Sequence, residues 1–140
     1  MYEQFKIISQ FVKDMSSETP NVETYLYVKE YIKNYNLNIE IITKPLKNRM
    51  IEVNTKLDYK DNGNSKNKSH FEMNYASIIK IDEEIKDRKI IEKIILCDVQ
   101  KEIYPNLEKV FIKLLDNSGF PGIKFEKKID FEQLYNQRLN

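Results

Sequence analysis

Apolar and polar positions alternate with a period of two over most of the first 81 residues, and with helical spacing after that. The cleanest stretch is "MIEVNTKLDY" (50–59), where Ile51, Val53, Thr55, Leu57 and Tyr59 oppose Met50, Glu52, Asn54, Lys56 and Asp58. Residues two apart in a strand share a face, so this pattern predicts a strand with one apolar and one wet side. "HFEMNYASIIKI" (70–81) repeats it, with Phe71, Met73, Tyr75, Ile79 and Ile81 facing one way and His70, Glu72, Asn74 and Lys80 the other. The polar "KDNGNSKNK" (60–68) between them contains Asn-Gly and reads as a hairpin connection. "LNIEII" (37–42) is a shorter strand that should end before Pro45.

"FKIISQFVKDM" (5–15) alternates loosely. Phe5, Ile7, Phe11 and Met15 share one predicted face, and Lys6, Ile8, Gln10, Val12 and Asp14 the other. "SSETPN" (16–21) interrupts it. Residues 22–35, "VETYLYVKEYIKNY", carry four tyrosines and read as a helical turn or an irregular crossing segment.

Helical spacing begins at "EEIKDRKIIEKIIL" (83–96), with a break expected around Cys97 and Asp98. It resumes at "NLEKVFIKLLDNSG" (106–119), where Leu107, Val110, Phe111, Leu114 and Leu115 form one stripe. Pro105 sits near its start and Gly119 caps its end. A strand-like "IKFEKKI" comes next. Asp130 can then cap a last short helix, with Gln133 placed for a capping box and Phe131, Leu134, Tyr135 and Leu139 on one stripe. So short a helix must dock on something. It either closes its own core or forms one wall of a groove for another chain.

Four strands followed by segregated helices predict an α+β fold: a four-stranded antiparallel sheet with a long helix and a short C-terminal helix on one face. At 140 residues the chain, 1–140, should form a single domain. Lys+Arg 23 against Asp+Glu 22 leaves a net charge of +1, so no overall field recruits nucleic acid or an acidic membrane. The abundance of Lys, Asn, Ile and Tyr beside one alanine, Ala76, reads as codon supply before it reads as a basic surface. The lone Cys97 suits a reducing compartment, and "MYEQFKIISQF" lacks the basic and apolar regions of a signal peptide. A cytoplasmic protein is expected.

Catalytic chemistry finds little support. His70 is the one histidine and alternates onto a wet strand face, with no serine or cysteine beside it to act as a nucleophile with it as base, Ser69 apart, which shares no face with it. Cys97 reads as packing, and one cysteine with one histidine cannot make a structural zinc site. Three glycines are too few for a phosphate-binding loop. No catalytic, cofactor or metal site is expected.

Three stretches in order resemble the SecB family of protein-export chaperones: "QFVKDMSSETPN" (10–21), "FEMNYASIIKI" (71–81) and "IYPNLEKVFIKLL…GFPGIKFEKKIDFEQLY" (103–135). The resemblance implies an ATP-independent holdase, a homotetramer built as a dimer of dimers, that binds unfolded preproteins and delivers them to the SecA translocase motor. It implies SecA contacts at Asp14, Glu18, His70 and Glu72, although His70 stands where the family has leucine. It implies client contacts at Tyr25, Tyr27, Tyr31, Phe131, Leu134 and Tyr135, between the crossing segment and the closing helix. The same tyrosines can instead simply pack that segment onto the core. The chain departs from the family in its near-neutral charge, in Asp98 and Glu108, and in lacking an acidic tail. A SecB-like chaperone dedicated to one client, such as a toxin–antitoxin partner, is the neighbouring reading; a small-molecule binding domain is the more distant one.

Overall fold

The computed structural model describes residues 3–63, 66, 68–125 and 128–138; Leu139 of the closing stripe lies outside them. Strand β1 (Phe5–Glu18) precedes helix α1 (Val22–Tyr31), strands β2 (Asn36–Pro45), β3 (Met50–Lys60) and β4 (His70–Ile81), and helices α2 (Arg88–Lys93), α3 (Val99–Asn117) and α4 (Phe131–Arg138). The strands form one antiparallel sheet in the order β1–β4–β3–β2. This is the α+β arrangement that the alternation predicts.

The register across β3 and β4 pairs Leu57 with Met73, Tyr59 with Phe71 and Ile51 with Ile79, so both apolar sets point to one face. Helix α3 covers that face with Ile103, Leu107, Phe111 and Leu115, all fully buried. Phe111 meets Tyr59 edge-on with ring centroids 6.5 Å apart. Gln100 is a buried polar residue in this layer, and its Nε2 donates to Thr55 Oγ1 at 2.9 Å.

Strand β1 departs from the simple alternation. Its pairing with β4 shifts between Ile7 and Ser9 and again between Val12 and Asp14, leaving Ile8 and Lys13 as bulged residues. Each extra residue flips the phase of the strand beyond it. Gln10 and Val12 therefore pair with Ser77 and Tyr75 on the helix side, and Phe11 pairs with Ala76 on the wet side. Two flips cancel, so Asp14 returns to the face that carries Lys6. The bulged Lys13 reaches back over that face to Glu52, 2.7 Å away, and this contact, with Asn54 beside it, holds the Glu52 carboxyl below its ordinary range.

The crossing segment is a ten-residue helix, not an irregular stretch, because Asn21 caps it by accepting from the Thr24 amide at 2.8 Å. A 3₁₀ turn, Ile32–Asn34, continues it. β2 runs on to include Pro45, which an outer strand tolerates because its missing amide breaks no interior ladder. The expected break near Cys97 is a π turn, Ile94–Asp98, through which the helix continues. Pro105 accordingly lies inside α3 and not at its start, with its ring exposed to solvent. The described part of "IKFEKKI" pairs with no strand. Gly119 ends α3 with φ 96°, and a Cβ there would meet the Tyr25 ring at 2.7 Å.

Burial raises the Glu108 carboxyl above its ordinary range. A raised acid means that the folded chain holds its proton longer than the unfolded one, so the ionised form opposes folding above the folded-state pKa. Glu108→Gln should raise the thermal midpoint near pH 7 and have no such effect below about pH 4, read by paired melts at fixed protein concentration.

Candidate functional site

Two surfaces stand out, one on each side of the sheet. On the uncovered side the β1–β4 register sets Asp14, Ser16 and Glu18 opposite Asn74, Glu72 and His70, on three successive same-face positions. Asp58 on β3 lies directly across from Glu72. His70 Nε2 is 2.7 Å from Asp58 Oδ1 and 3.2 Å from Glu72 Oε1. Lys60 Nζ meets the other Asp58 oxygen at 3.3 Å. Asp14, Asp58, Glu72 and Asn74 also border a shallow hollow of about 390 Å³. The fold thus gathers Asp14, Glu18, His70 and Glu72 on one face. Alternation already puts Asp58 on the wet face with Glu52 and Glu72 as a place for polar docking; the length of the 60–68 connection hides that it lies across from Glu72 and beside His70.

On the covered side a groove runs beside β2. Its floor is the inward face of that strand, Leu37, Ile39 and Ile41, each partly buried. Ile91, Ile95 and Leu96 wall one end, where the hollow is about 920 Å³. Phe131, Leu134 and Tyr135 of α4 wall the middle, about 310 Å³. Tyr35, Phe125 and Ile129 flank the other end, about 820 Å³. The three hollows share Ile39 and run into one another. β2 is the outer strand and pairs only with β3 among the described residues, so a second row of backbone groups faces outward along the groove. Ten strand residues give that row a length of roughly 30 Å.

Helix α4 is capped at its start and held against the helical side of the core. Asp130 accepts from the Gln133 amide at 3.1 Å, making the expected N-cap. Lys101 and Glu132 pair at 2.8 Å, which raises the lysine and lowers the carboxyl. Phe131 stacks edge-on against Tyr104 at 5.2 Å. Beneath it Cys97 is fully buried, and burial pushes its thiol up, so it is a packing residue and a poor nucleophile.

The closing-helix residues and the tyrosines do not come together as the sequence suggests. Tyr25 donates to the Gly119 carbonyl at 2.8 Å and packs on Phe120 at 5.2 Å. Tyr27 and Tyr31 stack on each other at 4.7 Å on the exposed side of α1. None of the three lines the groove; Lys33 and Tyr35 represent the crossing segment there. Thr24 and Val28 are the buried residues of α1; Tyr27 is rotated off their line, and Tyr31 is the last residue of the helix, where the 3₁₀ turn takes over, so both stay exposed.

The family model for "Preprotein translocase subunit SecB" matches residues 1–140. A relative from Pelagibacter ubique bearing the name "Putative protein-export protein SecB" is 56% identical over 140 residues, all of both chains. One from Bartonella quintana is 25% identical over 137 residues, covering 96% of this chain and 84% of its own. Among solved structures, a SecB-like chaperone of Mycobacterium tuberculosis in complex with an antitoxin peptide superposes with a TM-score of 0.68 at 10% identity, over 90% of this chain and 88% of that one. This chain belongs to the SecB family, whose members are chaperones and not enzymes.

The two stripe residues of α4 now separate. Leu134 is 43% exposed and Tyr135 only 8%. Leu134→Glu should change unfolding free energy by no more than about 0.5 kcal/mol, whereas Tyr135→Glu buries an unpaired charge and should cost several kcal/mol, as read by urea denaturation at matched concentration.

Proposed function

We propose that this chain is an ATP-independent export chaperone that holds unfolded preproteins in the groove beside β2 and offers the polar sheet face around Glu72 to the SecA motor. The observation that supports this most is the coupling of an apolar floor to an unpaired strand edge. Edge amides and carbonyls bind any extended backbone regardless of sequence, while Leu37, Ile39, Ile41 and Leu134 accept varied apolar side chains. A holdase needs that combination, because its clients share a backbone and little else. None of these interactions requires a nucleotide.

The polar face lies on the other side of the sheet, so a client and the motor need not compete for space. Its carboxylates steer and orient a basic partner more than they add affinity. Assembly is proposed through β1. That edge is unpaired among the described residues and exposes Ile8 at 47%, Phe11 at 44% and Met15 at 43%. Edge-to-edge pairing about a two-fold axis buries such a strand, giving a dimer that can pair again into a tetramer. The working compartment is taken to be the cytoplasm. No helix among the described residues is long and apolar enough to cross a membrane. His70, in place of the family's leucine at the motor contact, favours one second reading: a chaperone kept for a single client.

A refolding-delay assay without nucleotide, using several unfolded clients, tests the groove. Wild type should arrest all of them, and Leu134→Glu should weaken arrest by about tenfold while sedimenting as the same dimer or larger assembly. Arrest of one client alone supports the dedicated reading, and unchanged arrest by the variant places clients elsewhere.

The motor contact is tested by reversing Asp14, Glu18 and Glu72 to lysine together. Three exposed contacts worth about 0.2–1 kcal/mol each, together with the repulsion the three new lysines add, come to roughly 2–3 kcal/mol. Calorimetry at low salt should therefore show SecA affinity falling roughly 30- to 100-fold with client arrest retained. Equal binding by the reversed protein would remove these residues from the contact.

A further inference from the structure

The outer sheet face contains an arrangement that motor docking does not explain. Asp58 and Glu72 are direct cross-strand partners, and like charges in that position repel. The His70 ring, two residues along β4, points its Nε2 between them, at 2.7 and 3.2 Å. One oxygen of each carboxylate and a ring nitrogen all lie within 4.8 Å of one another. Lys60 occupies the second Asp58 oxygen, which orients the carboxylate with Oδ1 toward the histidine. All three residues are set by strand register and not by a loop.

We propose that Asp58, His70 and Glu72 form a binding site for a zinc-class dication. Donor atoms at about 2.0–2.2 Å around a tetrahedral zinc stand roughly 3.3–3.6 Å apart. The 3.2 Å separation of His70 and Glu72 is already close to that, and the 2.7 Å contact of His70 with Asp58 has to open by well under one ångström. The side chains are 29%, 39% and 51% exposed for Asp58, His70 and Glu72, which leaves them room for small rotations. The imidazole selects the metal class. Magnesium and calcium prefer all-oxygen shells, whereas one imidazole with two carboxylates suits zinc, cobalt or nickel. The bound charge also removes the repulsion between Asp58 and Glu72. Glu18, opposite His70 on β1, is the carboxylate in register for a fourth position, which water or a donor from a docked partner can also take. Occupancy adds two positive charges to the face and engages Glu72, so the metal-bound chain presents a less acidic surface. This geometry carries the site independently of the chaperone reading.

Zinc titrated into the full-length protein alone tests it, by calorimetry and by proton NMR of the imidazole. His70 is the one histidine of the chain, so its ring resonances need no assignment. The expected result is one zinc per chain with the imidazole resonances displaced. His70→Gln and Glu72→Gln should each weaken binding at least about tenfold with the unfolding midpoint unchanged, and Cys97→Ser should bind as wild type does. Imidazole resonances unmoved at millimolar zinc, wild-type affinity in both ligand variants, or loss of binding in Cys97→Ser would each overturn the proposal.

Discussion

Every functional placement in this molecule depends on the register in which β4 pairs with its two neighbours. β4 holds β1 on one side and β3 on the other, and its side chains alternate between a covered and an open face. A slip of one residue would carry Phe71, Met73 and Tyr75 to solvent and His70 and Glu72 into the core. The cost of burying a carboxylate and exposing three large apolar side chains forbids that slip. The polar face is therefore fixed by the same force that builds the core beneath it.

The two bulges in β1 show the constraint at work. A plain alternation would put Asp14 on the polar side and Phe11 on the apolar side of one continuous strand. The bulges at Ile8 and Lys13 instead expose Phe11 and bring Gln10 under the sheet, where it accepts a hydrogen bond from Tyr75 at 3.0 Å. The Tyr75 hydroxyl in turn accepts from Asn106 at 2.8 Å, tying the irregular edge to α3. Both outer strands thus keep a free edge among the described residues, but of different kinds. β1 presents scattered apolar side chains, and β2 presents a backbone row beside an apolar floor.

The groove owes its shape to the helical side. The π turn carries the helix from α2 to α3 without a break, so Ile91, Ile95 and Leu96 stand over β2 while Leu107 and Phe111 fill the centre. Helix α4, held through Phe131, the Asp130 cap and the Lys101–Glu132 pair, closes part of the remaining opening. It leaves Leu134 turned to solvent in the groove. The tyrosines of α1, by contrast, lie outside this wall.

The sequence by itself determined the sheet and the helical half, because alternation and helical spacing are local signals enforced by one-sided burial; the family was legible only through the resemblance of three stretches in order, 10–21, 71–81 and 103–135. It also placed Glu72 and His70 on the wet face, since neither belongs to the apolar set of 70–81. Tertiary structure decided what a local period cannot encode. The bulges in β1 exist only against β4, and Asp58 meets Glu72 and His70 only once the 60–68 connection sets a register. Tyr27 and Tyr31 stay exposed while α1 buries Thr24 and Val28, an orientation set by the packing partners of the helix and not by its own sequence. Sequence order kept the histidine and Asp58 apart, and only the sheet brought their ligand atoms and that of Glu72 to within 4.8 Å. Contacts between strands distant in sequence are fixed by loop closure and core packing, and these are properties of the whole chain.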